Sequence, residues 1–315
     1  MTGAGTAVRV QFVTDAKRFA EYRAPLDAAL ALLGIAADLA QDHAPETVDY
    51  IVYAPFAGQV DLSGYTRARA ALGLWAGVET IIANPTLTMP YARMVDDGLT
   101  RGMVEWVTGH VLRHHLGMDA DICRQDATWA PRVPPLAAAR RVSILGLGAL
   151  GSACAATLAG LGFDVAGWSR RQKDLAGIAC FSGEAGLATV LARSDILVLL
   201  LPLTPATENL LDAAALARMP AGAVVLNPGR GALIDDRALL AALDAGQIGH
   251  ATLDAFRVEP LPAGDPYWTH PRVTVTPHLA SATRPETAAR VIAENIRRGE
   301  AGEPFLHLVD RDAGY

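Results

Sequence analysis

The chain has 315 residues, 51 % of them apolar and 19 % charged, the balance of a folded protein rather than a disordered or fibrous one. That length is long for one core and fits two domains. A net charge of −6 argues against nucleic acid as a partner, and three scattered cysteines (Cys123, Cys154, Cys180) supply neither a disulfide framework nor a zinc site, so no metal is expected.

Residues 1–9 lack the apolar stretch of a signal peptide. The apolar run 196–201 has the length of a buried strand, far below the roughly 20 residues of a membrane helix. Both features predict a cytoplasmic protein with no membrane partner.

Residues 8–13 alternate like a strand and pass into a helical stretch over 17–33. Two further apolar runs, 50–54 and 71–78, complete a βαβ rhythm. A long helix is predicted over 102–115, then a polar, irregular stretch over 117–140 carrying Trp129, Pro131, Pro134 and Pro135. His114 and His115 are adjacent on that helix, about 100° apart, with no carboxylate at i+4. A surface or interface role is expected of them rather than metal binding. Trp129 fits either a dimer interface or a local core contact.

Residues 142–145 read as a strand that runs directly into Gly146-Leu147-Gly148-Ala149-Leu150-Gly151, with a helix expected over 152–161. This is the dinucleotide-binding pattern in its proper context. The first glycine allows the turn, the second lets backbone approach a pyrophosphate, and the third lets helix and strand pack closely. Ala149 and Leu150 lie in the same turn. The next strand, 164–168, ends in Ser169-Arg170-Arg171-Gln172-Lys173, with no carboxylate before Asp174. An acidic residue there would take the ribose hydroxyls of NAD. A serine with Arg170, Arg171 and Lys173 instead suits a 2′-phosphate, so NADP(H) is preferred and NAD(H) remains an alternative. A plain solvated basic turn is the competing reading.

Strands follow at 195–201, 222–226, 250–254 and 273–276, with helices at 235–245 and 285–298. Repeated β then α predicts an α/β protein: a Rossmann-type doubly wound parallel sheet. Breaks near 100 and 283 would make the first domain discontinuous. Three segments end predicted strands, at the edge where such sheets bind ligands. They are Asn227-Pro228-Gly229-Arg230-Gly231, Asp254 to Pro260, and Thr276-Pro277-His278. Hydride reduction of a 2-keto acid needs a cation for the carboxylate and carbonyl, a proton donor, and a carboxylate that keeps the donor protonated. Arg230, His278 and Glu259 supply one of each. Taken singly, each has a plain structural reading: a helix cap, a strand-end histidine and an exposed turn residue.

Together the Gly146–Gly151 turn, the 227–231 segment, the 254–260 segment and the 277–281 segment resemble the D-isomer-specific 2-hydroxyacid dehydrogenase family. The match is dense from Arg141 onward and looser before it. Trp168-Ser169-Arg170, the 261–271 segment and the 309–315 ending resemble a bacterial subgroup that reduces glyoxylate and hydroxypyruvate. The resemblance implies NADPH-dependent reduction of these acids to glycolate and glycerate, with Arg230, Glu259 and His278 catalytic. It implies a dinucleotide-binding domain over 101–283. It also implies a smaller, discontinuous, flavodoxin-like α/β substrate domain from 1–100 and 284–315, and a homodimer formed largely through the cofactor domain. It assigns Trp75, Ala76, Gly77 and Val78 to the substrate carboxylate, with Trp268 beside them. Met103, Leu201, Pro202, Thr207, Pro228, Gly229 and Asp254 join the cofactor set. Pro228 removes an N–H donor from its loop, and Trp75 is bulky for its position.

Two other readings stand beside this one. The first is a reductase of another 2-keto acid, branched or aromatic. The second is a dinucleotide-sensing binding protein, which would need no intact trio. Phosphoglycerate oxidation is not expected, because 315 residues leave no room for a regulatory domain.

Overall fold

The computed structural model describes residues 7–54, 58–311 and 313–314. Residues 1–6 and Tyr315, the end of the C-terminal motif, lie outside the described residues. The chain forms two compact units: Met1–Leu99 with Ala282–Tyr315, and Thr100–Ser281.

The first unit contains β1 (Val8–Thr14), α1 (Ala16–Leu32), β2 (Ala37–Ala40), β3 (Tyr50–Ala54), β4 (Ala70–Gly73), α2 (Glu79–Ile82) and β5 (Tyr91–Ala92). The strands run in the order β2-β1-β3-β4-β5, all parallel, which is the flavodoxin-like order. Asp15 caps α1 by accepting the Arg18 N–H. One face of the sheet packs Phe12, Tyr50, Val52 and Leu72 against Leu26 and Leu30 of α1 and Ile292 and Ile296 of the C-terminal helix Pro285–Ala301. The other face packs Ile51, Tyr53 and Tyr91 against Leu62, Ile81 and Leu87. Burial on both faces explains why 50–54 is apolar throughout rather than alternating.

The second unit holds most of α3 (Asp97–Leu116), then α4 (Met118–Cys123), β6 (Arg141–Leu145), α5 (Ala149–Gly160), β7 (Asp164–Trp168), β8 (Ala179–Phe181), α6 (Gly183–Arg193), β9 (Ile196–Leu199), α7 (Ala213–Arg218), β10 (Ala223–Asn227), α8 (Asp236–Asp244), β11 (Ile248–Leu253) and β12 (Val273–Val275). Its order is β12-β11-β10-β9-β6-β7-β8, every pair parallel. The strand order reverses between β6 and β9, the switch point at which doubly wound sheets bind ligands.

Several expectations are corrected. The run 71–78 is strand only over its first three residues: β4 stops at Gly73, and the rest is a bend leading into irregular chain. The long helix starts at Asp97 rather than 102, and the irregular stretch 117–140 contains α4. His114 and His115 are not surface residues. His115 is 7 % exposed, and His114 Nε2 lies 2.9 Å from Thr252 Oγ1 with its ring 4.9 Å from that of His250. The face of α3 that carries His114 packs on β11. Trp129 is 94 % exposed, which excludes a local core contact. Among the described residues, no helix is long and apolar enough to cross a membrane, and no group of His, Cys, Asp and Glu is arranged to hold a metal ion.

Candidate active site

The glycine turn joins β6 to α5. Gly146 has φ +108°, and a Cβ there would strike the Leu200 carbonyl. A Cβ at Gly151 would strike the Gly146 carbonyl, so helix and turn could not close. Gly148 differs: a Cβ there meets nothing within 4 Å. The protein's own packing therefore does not require that glycine. Gly148 is also the N-cap of α5 and offers no side-chain cap. Ala149 and Leu150 begin the helix, so backbone donors at an uncapped helix start face open space, the fit expected of a pyrophosphate. Met103, in contrast, is 5 % exposed and belongs to the core with Ile144 and Leu147 beneath this turn.

At the end of β7, Ser169 is 8 % exposed and its hydroxyl donates to the Arg171 carbonyl at 2.7 Å. The hydroxyl holds the basic turn together. Arg170, Arg171 and Lys173 are exposed, and among the described residues no carboxylate pairs with Arg171 or Lys173. That charge set fits a phosphate monoester better than a diol. After β9, Thr207 Oγ1 donates to the Pro202 carbonyl at 2.7 Å and so closes the loop that begins at the buried Leu201.

The catalytic candidates all follow strands of this sheet. After β10, Asn227 Oδ1 accepts the Gly229 N–H at 3.1 Å and Asn227 Nδ2 donates to the Arg230 carbonyl at 2.9 Å. Pro228 has no N–H, and that of Gly229 is spent on Asn227. Gly231 is required because a Cβ would collide with the backbone of Phe256 and Arg257. This close approach sets the Arg230 loop against the loop after β11. There, Glu259 Oε1 accepts the Phe256 N–H at 2.8 Å, and Oε2 lies 2.6 Å from His278 Nδ1. With a carboxylate at Nδ1, that nitrogen carries a proton and Nε2 is left for other work. The His278 side chain is 52 % exposed.

His278 has φ +51°, uncommon for a residue with a Cβ. Asp254 explains it. Its carboxylate accepts Thr276 Oγ1 at 2.6 Å and the N–H groups of Leu279 and Ala280 at 2.9 Å each, while its carbonyl takes the His278 N–H. Asp254 thus holds the His278 turn. The supporting roles of Asn227 and Thr276 were not assigned from sequence. Their only signal there is adjacency to Pro228 and Pro277.

In the first unit, the Leu74 carbonyl accepts the Thr283 hydroxyl at 2.7 Å and the Trp75 carbonyl accepts the Met94 N–H at 2.9 Å. Among the described residues, the N–H groups of Trp75, Ala76, Gly77 and Val78 have no partner. Four successive unspent donors suit an anion. Trp268 is 47 % exposed, and its indole N–H is spent on the Pro262 carbonyl at 3.0 Å.

A doubly wound parallel sheet, with a glycine turn and a histidine–carboxylate pair along its C-terminal edge, is the architecture of nucleotide-dependent dehydrogenases. The family model for the NAD binding domain of D-isomer specific 2-hydroxyacid dehydrogenases matches residues 109–280. Glyoxylate/hydroxypyruvate reductase A of Yersinia enterocolitica is 38 % identical over 262 residues, covering 81 % of this chain and 84 % of that protein. A D-isomer specific 2-hydroxyacid dehydrogenase from Xanthobacter autotrophicus Py2, solved with NADPH and MES, aligns with a TM-score of 0.91 at 40 % identity, over 99 % of this chain and all of that one. An NADPH-dependent glyoxylate/hydroxypyruvate reductase from Sinorhizobium meliloti, solved with NADP and sulfate, gives 0.85 at 32 % identity, again over 99 % and 100 %. The chain belongs to the D-isomer-specific 2-hydroxyacid dehydrogenase family.

Proposed function

We propose that this chain reduces glyoxylate and hydroxypyruvate to glycolate and glycerate, using NADPH in preference to NADH. The observation that carries the reading is the 2.6 Å pairing of His278 Nδ1 with Glu259 Oε2 on the sheet edge that also holds the glycine turn. The second unit is the dinucleotide-binding domain and the first the substrate domain. Gly146, Gly148, Ala149, Leu150 and Gly151 take the pyrophosphate. Ser169, Arg170, Arg171 and Lys173 take the 2′-phosphate. The loops at Leu201, Pro202 and Thr207 and at Pro228 and Gly229 flank the remainder.

When bound, NADPH supplies the hydride that reduces the keto carbon. Arg230 pairs with the substrate carboxylate and polarises the carbonyl, because its planar fork matches both oxygens. In the substrate domain, the four unspent N–H groups of Trp75, Ala76, Gly77 and Val78 suit a carboxylate. His278 Nε2 gives a proton to the developing alkoxide, and Glu259 stabilises the imidazolium beforehand. The exposed imidazole then regains its proton from water.

Exposed Ile122, Trp129, Val133 and Leu136 (67, 94, 92 and 82 %) support a homodimer built on the 117–136 segment. Free Cys123, Cys154 and Cys180 fit a reducing compartment, and the cytoplasm is the place we assign. Steady-state rates with both acids and both cofactors test the function. No turnover of either acid with NADPH, or a clear preference for NADH, would reject it. Light scattering on Trp129→Ser tests the dimer, and an unchanged dimer mass would count against this segment.

A further inference from the structure

We propose that Arg18 is a specificity-determining residue that reads a hydroxyl on C3 of the substrate. The proposal rests on the reductase reading above. Arg18 lies in the first turn of α1, which leaves the C-terminal edge of β1; the 75–78 loop leaves the same edge of the same sheet after β4. The Arg18 guanidinium carbon stands 5.5 Å from the centroid of the Trp75 ring, within cation–π range. Asp15 fixes it from the other side: Oδ1 accepts the Arg18 N–H at 2.7 Å, and Oδ2 accepts Nη1–H at 2.5 Å. The side chain is only 34 % exposed.

An arginine held twice has already lost the rotamer freedom that binding would otherwise cost. Its Nε and Nη2 donors have no acceptor among the described residues. One edge of this sheet therefore carries four unspent backbone N–H groups and, across the Trp75 indole, a positioned guanidinium with unspent donors. A carboxylate taken by the 75–78 loop leaves the other end of a three-carbon acid for Arg18. Asp15 already supplies Arg18 with an anionic partner. The group it reads is thus a neutral hydroxyl, as in hydroxypyruvate, rather than a second carboxylate. Trp75, bulky for its position, acts as the platform that sets Arg18 in place.

The test compares kcat/KM for glyoxylate, hydroxypyruvate and pyruvate in wild type, Arg18→Met and Arg18→Lys. Pyruvate has the skeleton of hydroxypyruvate without the hydroxyl, and glyoxylate has no C3. Sites that hydrogen-bond a hydroxyl discriminate strongly against its absence. The half-open setting here sets the expectation at about tenfold in favour of hydroxypyruvate over pyruvate. In Arg18→Met that ratio falls to about one, chiefly through KM, and hydroxypyruvate loses about tenfold relative to glyoxylate. Arg18→Lys, which keeps the charge and the ring contact, recovers part of the ratio. A hydroxypyruvate-to-pyruvate ratio that stays at the wild-type value in Arg18→Met, or an equal loss on all three acids, overturns the proposal. A wild type that turns over none of the three overturns the reductase reading itself.

Discussion

The His278 N–H donates to the Asp254 carbonyl at 2.9 Å, and the Asp254 carboxylate collects three further donors from the same turn. The left-handed backbone of His278 costs about 1–2 kcal/mol, and this clamp over-determines it. In Asp254→Asn the amide nitrogen cannot accept the N–H it would face. One buried donor is left unsatisfied, at a cost of about 1–3 kcal/mol. The expected result is a melting midpoint lower by several degrees and a kcat reduced at least tenfold, read by calorimetry and steady-state kinetics. A variant with wild-type kcat would show that the His278 turn does not depend on Asp254.

His278→Ala should lose about 10²- to 10⁴-fold in kcat, the usual worth of a positioned proton donor. Glu259→Gln keeps the shape but removes the charge that stabilises the imidazolium. Its loss should be of similar size, and the double variant should lose little more, because the two residues act as one unit. Additive losses would mean that the 2.6 Å pairing seen here is not the working arrangement.

The basic turn after β7 makes a separate prediction about cofactor choice. Replacing Arg170 and Arg171 together by Ser should raise KM for NADPH at least tenfold and leave KM for NADH nearly unchanged. KM for NADPH in wild type should also rise steeply with salt, since the contact is charged and exposed. Equal effects on both cofactors would remove the 2′-phosphate from this turn.

What could be read in the sequence follows from which residues act locally. β3 is legible because every residue in it is buried, and the glycine turn because its spacing is set by backbone geometry. β2, β5 and β8 are four, two and three residues long. They are strands only because a neighbour pairs with them, and periodicity cannot register that. His278 and Glu259 stand 19 residues apart. As single residues each has a plain structural reading, and only the family motifs join them. Helical spacing shows which way His114 points but not that β11 covers it.

The misread histidines lead to the last prediction. Burial holds His114 down to about 3, with the neighbouring His250 and Arg113 adding to the effect, and holds His250 down to about 4. Both are neutral in the folded protein, whereas an unfolded histidine takes a proton near 6.5. Acid therefore favours the unfolded chain. The stability contributed by the neutral pair is complete above pH 6.5 and is lost as pH falls toward 4 and then 3. Each histidine accounts for at most about 1.4 kcal/mol per pH unit in that window. The melting midpoint should be nearly flat from pH 7 to 8 and drop steeply between 6 and 4. Unfolding near pH 5 should take up close to two protons from this pair. His250→Gln should make the drop shallower without moving the neutral plateau by more than a few degrees. A variant with the wild-type slope would place the acid sensitivity elsewhere.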